Sequence, residues 1–95
     1  MDQLGCINAF ICIVEQGSLH AAAVKLHQTD AAISKKLSRL EASLNIQLLE
    51  RGHGNLKLTD VGQQYFLLCK DATEKIANAK QLVQQAVAIP QGALK

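Results

Sequence analysis

A chain of 95 residues forms one small domain, and its 48% hydrophobic content excludes a disordered polypeptide. Aromatic residues make up only 3% of it, which predicts an aliphatic core of packed helices. The net charge of +2 identifies no partner, but residues 25–57 hold six basic residues against three acidic ones, an excess that fits either a nucleic-acid contact or a solvated surface.

The first predicted helix covers residues 3–16, where apolar residues recur at spacings of three and four: Leu4, Ile7, Ile11 and Val14. Gly17 can end this helix in the left-handed conformation. The hydroxyl of Ser18 can then cap a second helix over about residues 19–26.

A tight turn at His27-Gln28 separates the second helix from a third one over residues 30–43, capped by Thr29. We interpret His27 as a residue with positive φ, which histidine tolerates, rather than as a metal ligand. The third helix has an apolar stripe of Ile33, Leu37, Leu40 and Leu44, and an opposite face of Asp30, Ser34, Lys35, Ser38 and Arg39 with Lys36 at its flank. Two helices joined by a tight turn, the second basic on its outer face, are typical of a helix-turn-helix that reads the major groove of DNA.

Two short apolar segments follow, Ile46–Arg51 and Leu56–Leu58, on either side of a turn with Gly52 and Gly54. This pattern predicts a β-hairpin, which after a helix-turn-helix would be a wing. A plain connecting hairpin is the alternative. The polar residues around the tip are Arg51, His53, Asn55 and Lys57.

Thr59 is expected to cap a long last helix over about residues 60–88, which Pro90 and Gly92 end. Its apolar residues recur almost as a heptad: Val61, Tyr65, Leu68, Ala72, Ile76, Ala79, Val83 and Ala86. A helix this long projects beyond so small a core, so its distal stripe needs a partner. An identical helix is the simplest partner, which predicts a homodimer.

Most of the chain, about residues 1–89, resembles the N-terminal region of LysR-type transcriptional regulators. The matching residues are Leu4, Phe10, Gly17-Ser18, Ala22-Ala23, Leu26, Ser34, Leu40-Glu41, Leu44, Leu48, Glu50-Arg51, Leu58-Thr59 and Gly62. The resemblance implies a mainly α fold, with a winged helix-turn-helix over 1–58 and a dimerising linker helix over 59–89. It also implies that a homodimer, or a tetramer of the full-length protein, reads a dyad-symmetric operator in double-stranded DNA.

The resemblance further implies a C-terminal effector-binding domain, whose first strand would start within residues 90–95. We therefore expect a DNA-binding fragment that contains no cofactor, because a small-molecule inducer would bind the absent domain.

Three residues depart from the family pattern: Asp30 stands where Gln is common, Asn45 where Gly is common, and Leu49 where Phe is common. Asn45 can still end a helix in the left-handed conformation, and Leu49 is a tolerable core change. Asp30 has two interpretations. It could accept a hydrogen bond from cytosine N4, or it could be a first-turn acid that stabilises the helix and penalises misplacement on DNA.

The candidate DNA-contacting residues fall into three groups. Those at or near the start of the third helix are candidates for base edges: Thr29, Asp30, Ala31, Ser34 and Lys35. Candidates for phosphate contact are Ser18, Lys36 and Arg39. The wing would contribute Arg51, His53 and Asn55 to the adjacent minor groove or backbone.

Two other functions remain open: a protein-interaction module, and a different winged-helix regulator that binds a small ligand or metal within this chain. The possible metal ligands Cys6, Cys12, His20 and His53 show no ligand spacing. We interpret the three cysteines, these two and Cys69, as free thiols of a cytoplasmic protein. An enzyme is disfavoured, since no nucleophile, carboxylate pair or phosphate loop stands at an informative spacing. No apolar run is long enough to span a bilayer, and we expect no membrane partner.

Overall fold

The computed structural model describes residues 3–50 and 56–88. Its elements, in chain order, are α1 (Gln3–Gln16), α2 (Leu19–Leu26), α3 (Asp30–Leu44), β1 (Leu49–Glu50), β2 (Lys57–Leu58) and α4 (Asp60–Ala88). The predicted helices are confirmed, with α3 ending one residue later than expected. The mainly α fold with a short antiparallel hairpin is that of a winged helix-turn-helix.

The helix ends follow the predicted backbone chemistry. Gly17 has φ of 88°, and its N–H bonds to the Ile13 carbonyl at 3.0 Å, which ends α1. His27 and Asn45 end α2 and α3 at φ of 57° and 58°. Histidine and asparagine are among the residue types that tolerate this left-handed region, so both predictions are confirmed.

The core lies where α1, α2 and α3 meet, and its largest fully buried side chains are Phe10, Ile13, Ile33, Leu37, Leu40 and Leu48. The expectation of an aliphatic core is wrong in one respect. Phe10 is completely buried, with its ring centroid 5.9 Å from that of Tyr65 and 6.3 Å from that of Phe66. All three aromatic rings of the chain therefore cluster where α1 meets α4.

A close backbone approach holds the start of α4 against the segment before β1. The Thr59 N–H donates to the Leu48 carbonyl at 3.0 Å, and the Thr59 hydroxyl donates to the Gln47 carbonyl at 2.9 Å. The same Thr59 oxygen accepts the N–H of Gly62 at 3.0 Å, which confirms the predicted cap. A Cβ at Gly62 would lie 2.1 Å from the Leu48 oxygen, so this contact requires glycine.

Beyond this junction α4 leaves the core, and the longest dimension of the molecule is 59 Å against 25 and 24 Å for the others. In the described ranges no single helix is long and apolar enough to cross a membrane. Taken together, α1 and α2 have the length and composition for a broken span, but they are bent by 118° at residues 17–18.

Candidate nucleic-acid interface

Two side-chain caps set the geometry of the helix-turn-helix. Ser18 is extended, at φ −159° and ψ 159°, and its Oγ accepts the Ala21 N–H at 3.0 Å. Thr29 has φ −79° and ψ 157°, and its Oγ1 accepts the Ala32 N–H at 3.0 Å. Each hydroxyl oxygen satisfies an N–H that has no partner within its helix. Both predicted caps are confirmed, and the cap of α2 uses the Ser18 hydroxyl as an acceptor, not as a donor.

The two faces of α3 differ sharply in burial. Ile33, Leu37 and Leu40 have no exposed surface. The opposite side is exposed at Thr29, Asp30, Ala31, Lys35, Ser38 and Arg39, whereas Ser34 and Lys36 are partly buried. The structure therefore brings most of the predicted α3 residues onto one accessible surface at and after the turn. Lys36 lies at its edge, beside the buried stripe.

Asp30 has a partner that sequence reasoning missed. The Nδ1 atom of His20 lies 3.0 Å from Oδ1 and 3.1 Å from Oδ2 of Asp30, and both side chains are largely exposed. The pair joins the first turn of α2 to the first residue of α3. Ten residues separate the two in sequence, so no helical spacing could indicate the contact.

Glu41 is a second residue whose role the sequence did not reveal, although it stood among the matching residues. It is 9% exposed, and its Oε2 accepts the N–H of Leu48 at 2.7 Å and that of Leu49 at 3.3 Å. A buried carboxylate needs such donors to offset its lost hydration. Glu41 therefore fixes the start of the hairpin relative to α3.

The hairpin is antiparallel, with Leu49 opposite Leu58 and Glu50 opposite Lys57. Lys57 Nζ lies 3.6 Å from Glu50 Oε2, an exposed cross-strand pair of the kind that stabilises a sheet only slightly. The predicted hairpin is confirmed. The three predicted wing contacts, Arg51, His53 and Asn55, lie outside the described residues.

The predicted dimerisation stripe lies mostly on the outer surface of α4. Leu68 is 71% and Val83 61% exposed, and the stripe's other members are exposed too, apart from Tyr65. Tyr65 is half-buried against Phe10 of its own domain, so its ring is already covered. Ile76 also turns toward the domain, where it lines an open cleft of about 250 Å³ with Leu4, Asn8, Thr73, Ala77 and Lys80. The stripe thus combines an outward face with two residues turned toward the domain.

The Cys12 thiol is not activated. Cys6 and Cys12 are buried, and burial raises the pKa of the Cys12 thiol, with Glu15 adding to the shift. A reactive or metal-binding thiol needs the opposite shift. Within residues 3–50 and 56–88, no three His, Cys, Asp or Glu side chains converge as metal ligands would.

Known proteins with similar sequences and structures share this arrangement of helices and hairpin. The family model described as "Bacterial regulatory helix-turn-helix protein, lysR family" matches residues 4–63. The chain is 35% identical over 89 residues to the HTH-type transcriptional regulator CrgA of Neisseria meningitidis, which covers 94% of this chain and 30% of CrgA. It is 30% identical over 95 residues to the HTH-type transcriptional activator AaeR of Escherichia coli, covering 100% of this chain and 31% of AaeR. The chain thus spans about a third of the length of these relatives.

The similar solved structures include complexes with DNA. The chain matches a BenM DBD complex with catB site 1 DNA at a TM-score of 0.87 and 26% identity, over 96% of this chain and 100% of that one. It matches a CbnR DBD complex with DNA at a TM-score of 0.80 and 29% identity, over 92% of this chain and 99% of that one.

Proposed function

The chain belongs to the LysR family of bacterial regulatory helix-turn-helix proteins, and from this membership we propose that it is the DNA-binding part of a transcriptional regulator. The observation that carries the proposal is the asymmetry of α3, which is completely buried at Ile33, Leu37 and Leu40 and exposed on the other side, directly after a tight turn. A helix held this way can enter the major groove without unfolding. The likeness to two complexes with DNA supports this function.

Within this proposal some α3 side chains are suited to contact bases and others are suited to contact phosphates. Ala31 is small and apolar enough to touch a thymine methyl, and Lys35 can donate to guanine O6 and N7. Arg39 lies further along the exposed side of α3 and is suited to a phosphate contact. The Ser18 hydroxyl can donate its proton to a phosphate in the same way, because the cap uses only its oxygen. Phosphate contacts supply most of the affinity, and base contacts supply the sequence preference.

The test has two stages. Selection of bound duplexes from a random pool shows whether the chain prefers a sequence, and a salt titration on the selected duplex then measures the phosphate contacts. Lys35→Ala should lower the affinity. If Lys35 contacts a base, the variant should also have a weaker preference at one base position. If Lys35 neutralises one phosphate, the salt slope of the variant should be shallower by about 0.9. Lys75→Ala is the matched control, since Lys75 is an exposed lysine on α4 paired with Asp71 at 2.9 Å.

If no duplex is retained, and binding to DNA shows no salt dependence, the proposal is wrong and a protein-interaction module becomes the better interpretation. If DNA binds but Lys35→Ala and Asp30→Gln both leave affinity and preference unchanged, α3 is not the reading helix.

We also propose that two copies pair through the outward face of α4, so that two α3 helices read a dyad-symmetric operator. Apolar side chains at Leu68, Leu82, Val83 and Val87 are 61–78% exposed along this face. Exposed apolar side chains that recur along one helix in this way are expected at an interaction site. For the full-length protein, the corresponding proposal is a tetramer in place of the dimer.

Sedimentation equilibrium tests the dimer. Val83→Lys should weaken self-association strongly, because it places a charge on the apolar face. Gln81→Lys introduces the same side chain two residues away, on another side of the helix, and should leave the dimer intact. Equal effects of the two substitutions would rule out this face.

Bacterial regulators act on chromosomal DNA, so the proposed location is the cytoplasm. In this proposal DNA binding by these residues uses no cofactor, and a small-molecule inducer would act outside them.

A further inference from the structure

The exposed pair of His20 and Asp30 lies at the proposed DNA-binding edge. His20 Nδ1 is nearly equidistant from the two carboxylate oxygens of Asp30, at 3.0 and 3.1 Å. A carboxylate only accepts hydrogen bonds, so Nδ1 must carry the proton in this contact. The second ring nitrogen, Nε2, is then left for an outside partner, and the His20 side chain is 75% exposed.

The position of the ring follows from the fold. In a helix-turn-helix the second helix lies in the groove while the first crosses the phosphate backbone. His20 stands in the first turn of α2, two residues after Ser18, and contacts the first residue of α3. A side chain that joins these two helix starts lies where the groove borders the backbone.

Charge decides what Nε2 can do. In neutral histidine with Nδ1 protonated, Nε2 is an acceptor and repels a phosphate oxygen. In the imidazolium, Nε2–H is a donor, and the charge of His20 balances that of Asp30. Among the described residues, Asp30 of α3 is the charged group in contact with the ring, Lys25 is the other charged residue of α2, and Glu15 of α1 is paired with Lys70 of α4.

Building on the proposed function, we propose that His20 binds a DNA phosphate through Nε2–H as an imidazolium, with Asp30 as the positioning residue that holds its Nδ1–H. Phosphate favours the charged ring, so binding of DNA through His20 is expected to be stronger at low pH than at high pH. The pair also reduces the repulsion that an isolated carboxylate at the start of α3 would exert on the backbone.

The test uses the whole chain and a short duplex of random sequence, because a phosphate contact does not depend on base sequence. Affinity is measured at about pH 6 and about pH 8, the range over which histidine changes charge. The wild-type chain should gain roughly two- to fivefold more affinity than His20→Gln on going from the higher to the lower pH, an effect typical of an exposed charge pair. At about pH 6 the salt slope of His20→Gln should be shallower than that of the wild type by about 0.9, and at about pH 8 the two slopes should agree.

Three further variants separate the proposed contact from a structural role. His20→Arg carries a permanent charge, so its change in affinity between the two pH values should be no larger than that of His20→Gln. Asp30→Asn should reduce the pH effect, because the amide oxygen still accepts Nδ1–H but carries no charge. His27→Asn is the matched control, since asparagine also tolerates the left-handed conformation at φ 57° and should retain the wild-type pH effect. His53 is present in every variant, so it contributes equally to each side of the comparison.

The outcomes are distinguishable. If the wild-type chain binds no duplex, the proposed function fails and this inference fails with it. If the chain binds DNA but His20→Gln keeps the full pH effect and salt slope, the proposed function stands and the role of His20 is wrong.

Discussion

The two halves of α4 belong to different regions of the molecule, although both carry apolar residues at helical spacing. In the proximal half, Gly62 is buried, and Tyr65, Phe66, Cys69 and Thr73 are partly buried against the winged helix-turn-helix. In the distal half every side chain from residue 74 to residue 87 is exposed, including Leu82 at 68% and Val87 at 78%. The difference shows that periodicity records which face of a helix is apolar, and not what covers it.

The contrast also separates two sources of stability. The winged helix-turn-helix and the side of the proximal half that faces it bury their apolar surface within one chain, and the stability from this burial does not depend on concentration. The exposed apolar side chains of the distal half would gain stabilisation from a partner in the proposed dimer, and that stabilisation would follow mass action. Substitutions in the two regions should therefore differ in size and in concentration dependence.

The largest expected difference lies between two leucines. Leu37→Ala creates a cavity at a fully buried position and should lower the free energy of unfolding by about 2–5 kcal/mol. Leu82→Ala should change it by at most about 0.5 kcal/mol at concentrations at which the chain is monomeric. Urea titration followed by circular dichroism measures both. Similar losses in the two variants would show that the distal half is packed within the monomer.

Two glycines give the next largest contrast. Gly62→Ala should destabilise the fold by about 1–3 kcal/mol, because the new methyl group would lie 2.1 Å from the Leu48 oxygen and the backbone must shift. Gly17→Ala meets no atom within 4 Å and should cost about 1 kcal/mol, since only its φ of 88° is unfavourable. Urea titration of the pair checks the order. The reverse order would mean that α4 is not held tightly against Leu48.

Two carboxylates should differ by a smaller amount. Glu41→Gln weakens the bonds to two backbone N–H groups in the buried region and should lower the free energy of unfolding by about 1–2 kcal/mol. Glu74 lies in the distal half, and its Oε2 is 4.0 Å from Lys70 Nζ. Glu74→Gln removes this exposed charge and should have little effect on the free energy of unfolding. Thermal or urea unfolding at neutral pH compares them. An equal and small effect would show that Glu41 does not hold the hairpin to α3.

The last comparison concerns the single tyrosine, which reports on the proximal half alone. Burial, followed by its hydrogen bond with Cys69, raises the pKa of Tyr65 to about 12. The folded chain therefore holds this proton more tightly than the unfolded chain, in which tyrosine titrates at about 10. The resulting stabilisation is complete below about pH 10 and is lost as the pH rises through about 12.

Phenolate absorbance measures this titration directly. The midpoint should lie near 12 in the folded chain and near about 10 in urea. Phe10→Leu should lower the folded midpoint by exposing the Tyr65 ring, whereas Leu82→Ala should not move it. A folded midpoint equal to that in urea would show that the proximal half does not cover Tyr65.

Local patterns in the sequence predict the local structure well. Sequence alone assigns Ser18, His27, Thr29 and Asn45 to helix ends, because caps and left-handed residues act over three or four positions. The buried stripe of α3 is predictable for the same reason, since helical spacing brings Ile33 and Leu37 to one side. Most of the candidate site on α3 follows from that stripe, as its exposed side is the remainder.

Contacts between elements could not be predicted in this way. The partner of Asp30 lies ten residues away on α2, and Glu41 bonds to N–H groups seven and eight residues later, across a turn. The near-heptad of α4 placed Tyr65 with residues that face outward, although its ring packs on Phe10.

The sequence by itself determined where the helices start and stop, which side of α3 is buried, and the family to which the chain belongs. Only the tertiary structure decided that His20 engages Asp30, that Glu41 ties the hairpin to α3, and where along α4 the domain ends. The physical reason is range. Capping and periodicity depend on neighbours within one or two helical turns, whereas these contacts depend on how separate helices come together in space.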